Sequence, residues 1–226
     1  DLRDLHNEYR RQRQMCIRDS LGTGHALKCS LSKINENNVV LVLLGDVPLV
    51  HSKTLLKLVN SAAKNTLTLL TANTDDPKGY GRIIRNGNNE IIAILEDYEC
   101  TTKQKTISEI NSGIMAFPPN RISRWLNRLS ANNKKGEYYL TDTIGFAVDD
   151  GVLVDAIQPE ATEEIFGVND KKQLAEAEKI KPVDLTINGG KTKLVVKHQS
   201  NVHDELKTKF YLTAAWSRTD GNGSGL

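Results

Sequence analysis

Residues 39–49 read VVLVLLGDVPL. Six consecutive apolar residues, Val39 to Leu44, run straight into Gly45–Asp46. An unbroken apolar run of this length, closed by a glycine, reads as a strand buried on both faces, the pattern of a parallel strand in an α/β sheet. A carboxylate just beyond such a strand stands where ligands gather in open α/β sheets. Asp46 can there hold Mg²⁺, which takes one or two carboxylates and fills its remaining positions with phosphate oxygens and water. Read by itself, Asp46 is equally consistent with a cap on the next element. Pro48 stiffens the exit from the strand.

Working outward, apolar strands alternate with helical stretches from residue 21 to about 182. Ser52 can cap a helix with Leu55, Leu56, Leu58, Val59 and Ala62 on its apolar face. TLTLLTAN (66–73) is the next strand, and DDPKGYG (75–81) is a turn by composition. GRIIRNGNNEIIAILED reads as two strands joined at Asn86–Asn89. EINSGIMAF (109–117) is a strand ended by Pro118 and Pro119. Asn120 then caps a helix facing inward through Ile122, Trp125, Leu126 and Leu129. YYLTDTIGFAVDDG (138–151) is a helix closed by Gly151, VLVDAIQP (152–159) a strand, and Lys171 to Ile180 a helix.

The two ends differ in character. Residues 1–20 are polar and contain RRQR, which as a basic run would suit a nucleic-acid arm. MCIRDS (15–20) is also what the mosaic end of a transposase-based sequencing adapter encodes, so residues 1–20 are expected to be a non-native leader. Residues 183–226 form an unassigned tail, with a possible hairpin around Gly189–Gly190 and an end, GNGSGL, expected to be unfolded.

Composition narrows the function classes. Lys+Arg total 30 against 28 Asp+Glu, a formal charge of +2, which argues against nucleic acid as the main partner. Cys16, Cys29 and Cys100 match neither a zinc site nor a disulfide framework and are expected to be free thiols in a reducing cytosol. The longest apolar run is far too short to span a bilayer, and no signal peptide is visible.

Four constellations could carry chemistry. In LGTGHA (21–26), Gly22 and Thr23 precede a helical stretch, where backbone N–H groups can approach an oxygen-rich ligand; the alternative is a plain turn. LLGDVPL carries Asp46. GYGRI, ILED and EINSGI carry Gly81, which removes a side chain, Glu96, which can accept from hydroxyls, and Asn111, whose amide both donates and accepts. GVND (167–170) carries Asn169, either a hard oxygen ligand for Mg²⁺ or a cap for the helix near Lys171.

Taken in order, LGTGHA, LLGDVPL, DDPKGYGRI, EINSGI, GEYYLTD and GVND resemble the uridyltransferase domain of the bifunctional N-acetylglucosamine-1-phosphate uridyltransferase / glucosamine-1-phosphate acetyltransferase family, over residues 21–180. The resemblance implies a Rossmann-like α/β nucleotidyltransferase sheet with helices on both faces. It implies uridylyl transfer from UTP to N-acetylglucosamine-1-phosphate in the cytoplasm, feeding peptidoglycan and lipopolysaccharide precursors. It assigns Asp46 and Asn169 to Mg²⁺, Gly22 and Thr23 to the uridine side, and Gly81, Glu96 and Asn111 to the N-acetylglucosamine moiety. The chain departs from the family in several places. The family's first strand and its glycine-rich loop with an arginine do not occur before Leu21, and its β-helical acetyltransferase half is absent. Leu44 stands where the family has Tyr. Exposed backbone on the sheet, poor solubility, negligible turnover and no family-type homotrimer are therefore expected for this polypeptide. The alternatives are another sugar-1-phosphate nucleotidyltransferase and a basic-arm nucleic-acid-binding protein.

Overall fold

A computed structural model describes residues 21–44, 47, 49–165 and 167, together with the backbone of the strands Lys193–Ser200 and Thr208–Ala215. Asp46, Asn169, the expected helix at 171–180, RRQR and GNGSGL lie outside the described residues.

The elements alternate as the sequence pattern requires. They are α1 (Thr23–Lys28), β1 (Val40–Leu44), α2 (Ser52–Ala62), β2 (Leu67–Asn73), β3 (Gly81–Arg85), β4 (Ile91–Leu95), β5 (Glu109–Phe117), α3 (Ile122–Arg128), α4 (Thr143–Asp149), β6 (Val154–Ile157), β7 (Lys193–Ser200) and β8 (Thr208–Ala215). The eight strands form one sheet. Its centre is β5, flanked on one side by β2 and on the other by β1 at one end and β3 at the other. β6 extends the sheet in parallel beside β2, and β4 pairs with β3 as the expected hairpin.

Side-chain alternation splits the core into two layers. Val40 and Val42 of β1 join Leu69, Met115 and Phe117 beneath α1, α3 and α4, contributed by Leu27, Trp125, Leu126 and Ile144. Leu41 and Leu43 face the other way, onto Leu55, Leu58, Val59 and Ala62 of α2. Successive strand residues point to opposite faces. A run apolar at every position is what a strand covered on both sides needs. The fold is thus an α/β sheet with helices on both faces.

Several local expectations are corrected. β1 is buried as expected, but both of its neighbours, β5 and β8, run antiparallel to it. The apolar run reports burial on two faces and carries no information on strand direction. The edge expected to be bare is paired: β8 covers β1 from Val40↔Ala215 to Leu44↔Tyr211. β7 pairs antiparallel with β8, from Lys193↔Ala215 to Ser200↔Thr208, and the hairpin expected around Gly189–Gly190 lies outside the described residues. Ser52 is the first helical residue of α2, with His51 at the cap position and no side-chain cap bond; Leu56 is exposed because it lies on the outer side of the helix. Asn120 does not cap α3; it takes a positive φ of 59° and its N–H donates to the Glu36 carbonyl. Residues 138–151 are a 3₁₀ turn, Leu140–Asp142, followed by α4, with Gly151 at φ 68° closing it.

Candidate active site

EINSGI forms the irregular centre of β5. Four steps of β5, from Met115 back to Asn111, stand opposite the two steps from Leu69 to Thr71 on β2. The extra length is a bulge, a device that re-aims side chains beside functional sites. Ser112 closes it by donating to the Leu70 carbonyl at 2.7 Å, and its hydroxyl accepts from the Ile114 N–H. Gly113 takes φ 84°, and a Cβ there would lie 2.5 Å from Leu44 Cδ1. The bulge therefore needs glycine twice over, for its backbone conformation and for the room Leu44 occupies. Asn111 is buried, and its Oδ1 accepts from the Gly113 N–H at 3.1 Å.

Asn111 pairs across the sheet with Gly81, and Arg82 pairs with Leu95. Extending that register by one residue sets Glu96 opposite Gly81. Asn111, Gly81 and Glu96, chosen from the sequence as three separate motifs, thus fall in one row across β5, β3 and the end of β4. A Cβ on Gly81 would meet Ile94 Cγ2 at 2.9 Å and Asn111 Cβ at 3.7 Å, so the missing side chain accommodates chain packing in the middle of the row. Glu96 Oε1 accepts from Thr141 Oγ1 at 2.9 Å, which joins the row to GEYYLTD.

GEYYLTD also receives LGTGHA. Tyr138 N–H donates to the Leu21 carbonyl at 2.6 Å, and Gly24 N–H to the Tyr138 carbonyl at 2.8 Å. Thr23 Oγ1 accepts from the Leu140 N–H at 3.1 Å. A Cβ on Gly22 would stand 2.6 Å from the Tyr138 carbonyl oxygen, and one on Gly24 would stand 2.4 Å from Leu129 Cδ1. The glycines therefore serve a close approach of two chain segments, which the sequence reading assigned to a ligand. The structure brings Gly22 and Thr23 against 138–140, and Gly81, Glu96 and Asn111 into the adjoining row. Asp46 and Asn169 lie outside the described residues.

Three features escaped the sequence reading. Arg82, 1 % exposed, pairs with Asp97 at 2.9 Å beside the row and also donates to the Tyr80 carbonyl. Arg85 makes a two-pronged contact with Glu109, 2.8 Å on each arm. The hydroxyls of Tyr98 and Tyr139 are hydrogen-bonded to each other. No local signal marks these partners, because each pair joins different strands or loops.

Asp142 sits beside Glu96. Its carboxyl is held above the ordinary 3.8, by burial first and by the Glu96 charge second. The Tyr139 hydroxyl is raised for the same reasons, burial foremost. For Asp142 the linkage has a definite sign. The folded chain keeps this proton where the unfolded chain has lost it, so stability falls as pH rises from 3.8 through the folded value. Asp142→Asn is expected to remove that decline, read as urea midpoints of wild type and variant from about pH 3.5 to about pH 7. Parallel curves would contradict it.

Cys29 is exposed and Cys100 buried; both are free, and burial raises the Cys100 thiol. No helix among the described residues is long and apolar enough to cross a membrane. Among the same residues, no group of three or more His, Cys, Asp or Glu could hold a metal.

A nucleotidyl transferase family model matches residues 4–179 of this α/β chain, and the chain belongs to that family. Within it the chain is similar to the bifunctional protein GlmU. It is 48% identical over 166 residues to that of Nitrosomonas eutropha, covering 73% of this chain and 36% of the relative. To that of Nitrosomonas europaea it is 49% identical over 156 residues, 69% of this chain and 34% of the relative. The Neisseria gonorrhoeae protein is 48% identical over 162 residues, 72% and 35% respectively. The chain spans about a third of the length of these relatives.

Proposed function

We propose that this chain carries the acceptor-sugar and metal-binding parts of a site that transfers a uridylyl group from UTP to N-acetylglucosamine-1-phosphate, giving UDP-N-acetylglucosamine and pyrophosphate. The observation that carries this reading is the row Asn111–Gly81–Glu96, with Glu96 held by Thr141. An amide and a carboxylate on either side of a position without a side chain suit a polar ring bearing hydroxyl and acetamido groups. One donor, Thr141, leaves a carboxylate with lone pairs for a sugar hydroxyl.

In this reaction a phosphate oxygen of the sugar-1-phosphate bonds to the α-phosphorus of UTP as the bond to the β-phosphate oxygen breaks. The nucleophile is already an anion, so the chain's task is alignment, with Glu96 and Asn111 fixing the sugar and Gly22 and Thr23 bordering the uridine. Asp46 and Asn169 would hold Mg²⁺, which supplies charge neutralisation at the phosphates. A carboxylate and an amide oxygen are both hard ligands, and the donor set fits that ion. Binding is the readout that isolates this alignment.

Calorimetric titration of the 226-residue chain with UDP-N-acetylglucosamine and Mg²⁺ tests the reading. Glu96→Ala is expected to weaken binding about tenfold or more, the loss of a hydrogen bond to a charged group. Asn111→Ala is expected to reduce the preference for UDP-N-acetylglucosamine over UDP-glucose. Equal affinity for wild type and both variants would refute the assignment. Leu44, which brings no hydrogen-bonding side chain to the space beside Gly113, favours a second reading: a related transferase with a broader choice of sugar. A wild type that binds both nucleotide sugars equally would support it.

A further inference from the structure

The bulge in β5 lies within the row that begins at Asn111. Between the pairs Leu69↔Met115 and Thr71↔Asn111, Leu70 alone stands opposite Ser112, Gly113 and Ile114. Such a break in the ladder leaves buried backbone groups that need other partners. Ser112, 5 % exposed, supplies two of them: its hydroxyl donates to the Leu70 carbonyl at 2.7 Å and accepts from the Ile114 N–H at 3.2 Å. One small side chain thus satisfies a backbone group on each strand and holds the bulge shut.

The same bulge decides which end of the Asn111 amide is free. The Gly113 N–H, at the positive-φ step, donates to Asn111 Oδ1 at 3.1 Å. An N–H can meet only the oxygen end of a carboxamide, so chemistry fixes the orientation of this amide. Asn111 is 8 % exposed, and its Nδ2 donates to no group among the described residues. A buried amide with its oxygen engaged and its N–H groups unused is set to donate, and what it can read is an acceptor. Glu96, on the other side of Gly81, has the opposite polarity: its carboxylate takes the Thr141 hydroxyl and can only accept.

We infer that Ser112 is a positioning residue for sugar choice: by closing the bulge it holds Asn111 with the N–H groups of its amide toward the ligand, so that the row selects an acetamido group through its carbonyl oxygen. This rests on the sugar assignment made above. An amide carbonyl is a stronger acceptor than an alcohol and reaches further from the ring, so a sugar with a hydroxyl in its place is the poorer ligand. Hydroxyl donors elsewhere on the ring are left to Glu96.

Two substitutions separate polarity from positioning. Asn111→Asp keeps an oxygen for the Gly113 N–H and turns the free donor into an acceptor. Ser112→Ala leaves Asn111 in place and removes the group that closes the bulge. Calorimetric titration of the full chain with UDP-N-acetylglucosamine and with UDP-glucose, each with Mg²⁺, gives the ratio of the two affinities. Lost stability or an added negative charge acts on both nucleotides alike and leaves that ratio unmoved. Asn111→Asp is expected to lower the preference for UDP-N-acetylglucosamine about tenfold, the worth of one hydrogen bond. Ser112→Ala is expected to lower it about fivefold, and Ser112→Thr, which keeps the hydroxyl, to restore most of it. A merely structural role for Ser112 would lower the melting temperature and leave the ratio intact. If Ser112→Ala does not fold, Ser112→Cys, close in size and only a weak donor, takes its place. A ratio within about twofold of wild type in either the Asn111 variant or the folded Ser112 variant overturns the inference. A wild type that binds neither nucleotide sugar, or both equally, overturns the N-acetylglucosamine reading itself and the inference with it, a distinguishable result.

Discussion

Asp97→Ala is expected to destabilise the chain by about 3–5 kcal/mol, the usual consequence of leaving a buried charge without its partner. Arg82 is 1 % exposed, whereas Asp97 is 25 % exposed, so the two partners are not equivalent. Removing the carboxylate strands a guanidinium away from water, with the Tyr80 carbonyl as the remaining acceptor for its side chain among the described residues. Removing the cation with Arg82→Met leaves a carboxylate that water can reach, and the apolar stem still fills the space. The Arg82 variant is therefore expected to lose less. Thermal melts of both, with about 10 °C expected for the Asp97 variant, check the order. An Arg82 variant that melts lower than the Asp97 variant would show that burial of the cation does not control this pair. The functional link is direct: Arg82 follows Gly81 and Asp97 follows Glu96, so the pair pins the backbone of the proposed sugar row.

Gly22→Ala is expected to cost about 2–4 kcal/mol without any ligand present. Gly22 has φ 106° and ψ 173°, a region that is essentially restricted to glycine. The added methyl would also lie 2.6 Å from the Tyr138 carbonyl oxygen and 2.9 Å from its nitrogen, and backbone atoms cannot turn aside as a side chain can. Gly87→Ala is the control: a Cβ there meets nothing within 4 Å, and the variant is expected to match wild type. Urea unfolding in the absence of nucleotide separates the two accounts of this motif. A Gly22 variant as stable as Gly87→Ala would return the glycine to a ligand role alone.

The legible parts of the molecule were those whose signal lies within one short window. The apolar run at 39–44 gave β1, the alternation around Asn86–Asn89 gave the β3–β4 hairpin, and EINSGIMAF gave β5 to the residue. Six ordered motifs identified the family. The same windows misjudged the helix starts. Ser52 and Asn120 are suitable caps by residue type, but the first enters the helix and the second is drawn to Glu36 in a left-handed conformation.

By itself the sequence determined the strands from β1 to β6, the burial of β1 on two faces, and the family to which the chain belongs. Periodicity and residue chemistry are local properties, and they survive in any environment that supplies a core. Only the tertiary structure decided that β1 is flanked by antiparallel partners, one of them from residues 208–215. It alone decided that LGTGHA closes onto Tyr138, that Asn111, Gly81 and Glu96 share a row, and that Glu164 holds His51. Strand direction and long-range partnership follow from how whole elements fill space together, and two residues 113 positions apart leave no mark of their contact in either neighbourhood.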